Sequence, residues 1–143
     1  MIFTGTFSLS AKGFCDIIDI TGKVAAAVDR SGIANGSVTA FCPGSTCSLT
    51  TIEYEPGVIA DLARVIEKIV PSNVPYEHDK RWGDGNGFSH VRAALLKPSI
   101  TVPLLQQRLA LGTWQQIVFL DFDNRARRRE IIVQVIGEPV AGG

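Results

Sequence analysis

The spacing of apolar residues changes along this chain, and each change predicts an element. Phe3–Ala11 and Gly13–Ile20 read as two strands broken at Lys12-Gly13. Thr21 can cap a short helix over Lys23–Arg30, where alanines favour helix, and Ser31-Gly32 ends it. Ser37–Phe41 and Ser48–Glu55 are β-rich runs flanking the loop Cys42-Pro43-Gly44-Ser45-Thr46-Cys47. The clearest helix is Val58–Val70. Val58, Ile59, Leu62, Val65, Ile66, Ile69 and Val70 make one apolar face, with Asp61, Arg64, Glu67 and Lys68 on the other. Pro56 suits its first turn and Pro71 stops it. The polar stretch Ser72–Asn86 reads as a loop that carries function, or else a connector. A helix over Asn86–Leu96 follows, closed by Pro98, and then strands over Ser99–Leu104, Trp114–Phe122 and Arg127–Ile136, the last two joined at Asp123-Asn124. Strands outweigh helices and no regular βαβ alternation appears, so the fold class is α+β. No repeat or linker divides the chain, and residues 1–143 form one expected domain.

Composition narrows the functional classes. Fourteen basic and fourteen acidic residues give no net charge, which argues against a general nucleic-acid or anionic-membrane binder. No stretch approaches the roughly 20 apolar residues that cross a bilayer, and the first residues lack the pattern of a secretory signal. A cytoplasmic protein is expected. Its three cysteines are an odd number; Cys42 and Cys47 can meet across their loop, but a reducing compartment is expected to keep all three as free thiols. Cys15 reads as a small core residue.

Three constellations carry candidate chemistry. Gly44-Ser45-Thr46 can present backbone N–H groups and hydroxyls to an anion, although such loops are mostly plain turns. On the strand that follows, Leu49, Thr51, Glu53 and Glu55 share a face, so Glu53 either meets solvent or finds a partner. The second constellation holds both histidines: His78 lies in the polar stretch with Asp79 and Asp84, and His90 lies one turn beyond Asn86 on the next helix. Asn86, His90 and Lys97 are read as pointing away from a core face of Phe88, Val91 and Leu95. The pair matches no zinc signature; metal ligation and a proton-transfer or hydrogen-bonding role both stay open. In the third, Gln115, Ile117, Phe119, Asp121 and Asp123 share one face of a strand, and the polar members need partners if buried. Arg125, Arg127, Arg128 and Arg129 follow, either as a charged edge or with one of them, Arg127 by preference, gripping a carboxylate or phosphate.

Taken in order, these segments resemble the YjbQ family, the secondary thiamine-phosphate synthase group. The resemblance runs from Ser45-Thr46, Leu49-Thr50 and Glu53 through Asp61-Leu62, Tyr76, His78, Asn86 and His90. It continues over Ser99–Pro103, Leu111-Gly112-Thr113-Trp114-Gln115, and Asp121-Phe122-Asp123 with the arginines beyond. It implies a compact antiparallel β-sandwich with two or three helices packed on it, a homotrimer, and weak synthesis of thiamine phosphate from a pyrimidine pyrophosphate and a thiazole phosphate. It also implies a pocket of Glu53, His78, Asn86, His90 and Gln115. The expected roles are catalytic for Glu53, His78 and His90. Ser45, Thr46, Asn86, Gln115, Asp121 and Arg127 are expected to bind a small phosphorylated metabolite. His78 and His90 are candidate ligands for a divalent ion, magnesium or zinc. A non-catalytic trimeric binding protein and a metal-dependent hydrolase are the alternatives. The chain departs from the family pattern at Gly44, where a histidine is common, at Asp121, a frequent glutamate, and at Leu105-Gln106-Gln107-Arg108, where an Asp-Gly turn is usual.

Overall fold

The computed structural model describes residues 1–142. Its elements are β1 (Ile2–Ala11), β2 (Asp16–Asp19), α1 (Thr21–Ser31), β3 (Ile33–Phe41), β4 (Cys47–Ile52), α2 (Pro56–Ile69), α3 (Glu77–Trp82), α4 (Gly87–Leu96), β5 (Ser99–Leu105), β6 (Arg108–Leu109), β7 (Gln116–Asp121) and β8 (Arg127–Pro139). The architecture is α+β, with two antiparallel sheets. One has the strand order β1-β8-β3-β5-β6 and the other β2-β7-β4. Among the described residues, no helix is long and apolar enough to cross a membrane.

One apolar cluster lies under the larger sheet, with Val38, Leu104, Ile131, Val133 and Val135 meeting Val24 and Val28 of α1 and Phe119 of β7. A second gathers Val118, Leu120 and Phe122 with Ile66 of α2 and Ala93 of α4. The middle strand β7 therefore contributes to both, Phe119 to one and its even-numbered neighbours to the other. Both faces of this strand are buried, because each packs against a different apolar cluster.

Other expectations shift for local reasons. The second strand shrinks to Asp16–Asp19, since Gly13, Phe14 and Cys15 adopt positive φ values of 80°, 53° and 65°. A Cβ on Gly13 would stand 2.5 Å from the Asp123 carbonyl oxygen, so this turn requires glycine. The run Ser48–Glu55 ends as a strand at Ile52, and the Glu55 carboxylate instead caps α2 by accepting the amide hydrogens of Gly57 and Val58. The polar stretch is not wholly a loop: with α3 there are four helices among the described residues, against two or three expected. The helix α4 is also rotated from its expected orientation, although Phe88 is buried as expected. Val91 and Leu95 are exposed, while Phe88, Ser89, Arg92 and Ala93 face inward. Polar anchors win here. Ser89 donates its hydroxyl to the Phe122 carbonyl and Arg92 donates to the Val70 carbonyl and Glu67, so the buried polar groups are satisfied.

Candidate functional site

Three loop regions and a short helix converge at one end of the β4–β7 pair: the loop before β4, the α3–α4 segment, and the turn between β7 and β8. Asp121 and Asp123 are two apart and wholly buried; Arg127 and Arg129, beyond the turn, are also two apart. Arg129 holds Asp121 through Nε–Oδ2 at 2.7 Å and Nη2–Oδ1 at 3.0 Å, and Arg127 Nε donates to Asp123 Oδ2 at 2.8 Å. Thr46 ties the two pairs together, its hydroxyl accepting from Arg129 Nη2 at 2.8 Å and donating to Asp123 Oδ2 at 3.2 Å. Burial alone would raise the Asp123 pKa. Hydrogen bonds from Asn86, the Asn124 amide and Arg127 outweigh it and hold the carboxyl below its ordinary value. Hydrogen bonding to Asp121, opposed by burial, holds Arg129 above its own.

On the facing wall stand the histidines. His78 comes from α3 and His90 from the first turns of α4, with ring centroids 4.4 Å apart and planes tilted by 38°. The two helices come this close because residue 87 is glycine: a Cβ there would lie 2.6 Å from that of Tyr76. The Gly87 amide also donates to Asp79 Oδ1 at 2.8 Å, fixing that carboxylate beside His78. His78 Nδ1 lies 3.4 Å from Asp84 Oδ1 and 3.7 Å from Asp79 Oδ1, yet makes no hydrogen bond. Asn86 is 6% exposed; its Nδ2 donates to Asp123 Oδ1 at 3.3 Å, while its own Oδ1 has no partner. A buried orphan acceptor and an orphan ring nitrogen in one place are costly unless a ligand completes them.

Between these walls is a cavity of about 590 Å³. Six of the residues singled out in the sequence line it: Ser45, Thr46, His78, Asn86, His90 and Arg127. Asp121 lies behind it, orienting Arg129. Glu53 and Gln115 are not brought there within one chain. Glu53 is exposed beyond the far end of β4, the end at which Ile52 pairs with Gln116, whereas the cavity adjoins the end at which Cys47 pairs with Asp121. Seven residues of extended chain, roughly 23 Å, separate Thr46 from Glu53. Gln115 donates to the Thr51 hydroxyl at 2.9 Å and lines a separate cavity of about 300 Å³ with Thr51 and Leu111. The cavity also takes Asp84, Asp123 and Arg129, which the sequence places in its constellations without assigning them to the site, and Trp82, which it does not single out. The signal for two of them was present: Asp–x–Asp before the turn and Arg–x–Arg after it each put like residues on one face of an extended segment. The turn between β7 and β8, which lie in different sheets, brings the two faces together.

The site's formal charges decide what it favours. Arg127 and Arg129 are matched by Asp123 and Asp121, while Asp79 and Asp84 stand beside His78 without a cation. His78, Asp79 and Asp84 offer ligand atoms that all lie within 4.8 Å of one another. This donor set of imidazole and two carboxylates fits a hard or borderline divalent ion. His90 is outside that cluster and stacks on His78 instead.

The family model described as UPF0047 protein YjbQ-like matches residues 5–138. The chain belongs to that family. A UPF0047 protein of Archaeoglobus fulgidus is 40% identical over 82% of this chain and 89% of its own length. The UPF0047 protein YjbQ of Salmonella typhimurium is 35% identical over 94% and 96% of the two chains. Among solved structures, a Sulfolobus solfataricus protein described as YbjQ-like and of unknown function superposes with a TM-score of 0.92 at 28% identity, covering 96% of this chain and 99% of its own. A Clostridium acetobutylicum member of the yjbq/upf0047 family superposes at 0.84 with 34% identity, over 92% and 99%. The family match spans residues 5–138, and the residues lining the cavity lie within it.

Proposed function

We propose that the cavity is the active site of an enzyme acting on a small phosphorylated metabolite. The observation that carries this reading is the meeting of two imidazoles, 4.4 Å apart, with an arginine whose terminal N–H groups remain free to bind an anion. Arg127 and the Ser45 hydroxyl hold the phosphate; His78 or His90 moves a proton at the ring nitrogen facing the cavity; Asn86 Oδ1 accepts from the substrate. Asp84 and Asp79 stand 3.4 and 3.7 Å from His78 Nδ1 and favour a positive charge on that ring. Arg129 and Thr46 position the Arg127–Asp123 pair. A divalent ion, magnesium or zinc, would be held by His78, Asp79 and Asp84, and when bound would neutralise charge on the phosphate or pyrophosphate. We further propose that the protein acts as a homotrimer in the cytoplasm.

Condensation of a pyrimidine pyrophosphate with a thiazole phosphate, which expels pyrophosphate, is the assay for this reading. Turnover is expected for the wild type, with His78→Ala and His90→Ala losing at least about a hundredfold in rate, the usual worth of a general acid or base. Retention of full rate by both variants would overturn the assignment of either histidine. The same reactions run with a phosphomonoester alone separate the metal-dependent hydrolase, which the His78–Asp79–Asp84 cluster also favours. Saturable binding with no turnover in either assay would identify a binding protein instead.

A further inference from the structure

A second cavity of about 290 Å³ adjoins the first and shares Gly44, Ser45 and His90 with it. The two differ in character. Charged and hydrogen-bonding groups line the first, whereas Cys47, Ala93, Ala94 and Pro98 complete the second. His90, Ala93 and Ala94 are spaced three and four apart on α4, so one helix face runs from the imidazole to two bare methyl groups. The wall opposite is pinned in place. The Cys42 amide and thiol both donate to the Pro98 carbonyl, at 2.9 and 3.4 Å, and the Leu49 amide donates to the Lys97 carbonyl at 3.2 Å. The passage between the cavities is open because residue 44 has no side chain. Its backbone is outside the left-handed region, so glycine matters here for space and not for conformation. A Cβ at 44 would stand 2.9 Å from Cys47 Sγ, on the second cavity, and 3.4 Å from Arg129 Nη1, on the first. Any side chain there would project between the two.

We infer that the two cavities are one bipartite site whose ligand is a phosphate or pyrophosphate ester of an apolar, ring-sized group, an inference that rests on the phosphate-binding role proposed above. The anion lies against Arg127, and the organic group fills the compartment of Ala93, Ala94 and Pro98. Size supports this assignment. At roughly 30 Å³ for each water-sized unit, the second compartment has room for about ten non-hydrogen atoms, which suits a substituted ring and is too small for a nucleoside. Chemistry supports it as well. An apolar compartment favours apolar surface, while the unpartnered Asn86 Oδ1 and the free N–H groups of Arg127 in the adjoining cavity call for a polar, charged head. Ser45 and His90 line both cavities, so the atoms that join head and ring pass between them. A sugar phosphate is disfavoured, because its hydroxyls would lie against Ala93, Ala94 and Pro98, whose side chains offer no hydrogen-bond partner.

The test is calorimetric titration of the full chain with inorganic phosphate, benzyl phosphate and a hexose phosphate. Benzyl phosphate should bind at least about tenfold more tightly than inorganic phosphate, the lower end of what burying a phenyl-sized group contributes. The hexose phosphate should show no such gain. Ala94→Phe, at an exposed position of α4, should fill the compartment and cut the preference for benzyl phosphate to near one. Arg127→Met should instead weaken both ligands together. Equal affinity of the wild type for benzyl and inorganic phosphate, a hexose phosphate bound as tightly as benzyl phosphate, or a preference that survives Ala94→Phe would each overturn the inference while leaving the phosphate-binding role intact. Failure of every probe to bind would overturn that role and this inference with it. The wild-type comparison decides the matter even where the variant does not fold.

Discussion

At the scale of single residues, the neutral network of Asp121, Asp123, Arg127 and Arg129 does two jobs, and substitutions separate them. Arg129→Met strands Asp121, which is wholly buried and depends on that guanidinium, so stability should fall by about 3–5 kcal/mol in urea unfolding. Arg127→Met should cost less, because Asp123 keeps Asn86, the Asn124 amide and Thr46 as donors. Its main effect should be loss of phosphate affinity. A larger stability loss for Arg127→Met than for Arg129→Met would contradict this division. The same network fixes an acid limb. Asp123 has a folded pKa below its ordinary value, so its contribution is fully present above the unfolded value of about 3.9 and disappears as pH falls through the lower folded value. The urea midpoint should therefore decline as pH drops below about 4, and Asp123→Asn should flatten that decline.

At the scale of elements, Glu55 and the β5–β6 turn make opposite predictions. Glu55→Ala removes the side-chain cap of α2 and should cost about 1 kcal/mol while leaving ligand binding unchanged. An equal loss of binding would mean that α2 supports the cavity. Gln106 and Gln107 connect β5 to β6 with φ values of 50° and 63°, a conformation that side chains with a Cβ resist. Asn-Gly is the pairing that such a two-residue hairpin favours. Gln106→Asn with Gln107→Gly should raise stability by about 1 kcal/mol, read from the urea midpoint, and unchanged stability would mean that the turn is not strained. The helix α4 gives the wider lesson. Its apolar pattern pointed Phe88, Val91 and Leu95 inward; Phe88 is, but the hydrogen-bonding demands of Ser89 and Arg92 rotate the helix and expose the other two, because an unpaired buried guanidinium costs more than two exposed aliphatics.

At the scale of the whole molecule, Glu53 and Gln115 sit at the end of the β2-β7-β4 sheet remote from the cavity. A homotrimer that seats this end against a neighbouring copy is the arrangement by which the residues implied by the family resemblance would share one site. Sedimentation equilibrium should give three times the chain mass at micromolar concentration. A monomeric mass would leave Glu53 and Gln115 outside the site, and Glu53→Gln should then keep full activity.

The sequence by itself determined what depends on near neighbours. It contained α1 and α2 with their stops, the α+β class, and a polar stretch around His78 too rich in chemistry to be a plain connector. The hairpin-like pairing expected across Asp123-Asn124 does not form, because β7 and β8 lie in different sheets. Six of its nominated residues line one cavity, since the family resemblance carried information about long-range contacts that periodicity lacks. Tertiary structure decided the rest. Periodicity states that a face is buried but not against what, so it could not foresee that β7 is covered on both sides or that α4 turns its polar anchors inward. The pairing of Arg129 with Asp121, the stacking of His78 on His90 and the departure of Glu53 from both follow from strand order and helix approach. Those are set by how two sheets share one core, not by any run of adjacent residues.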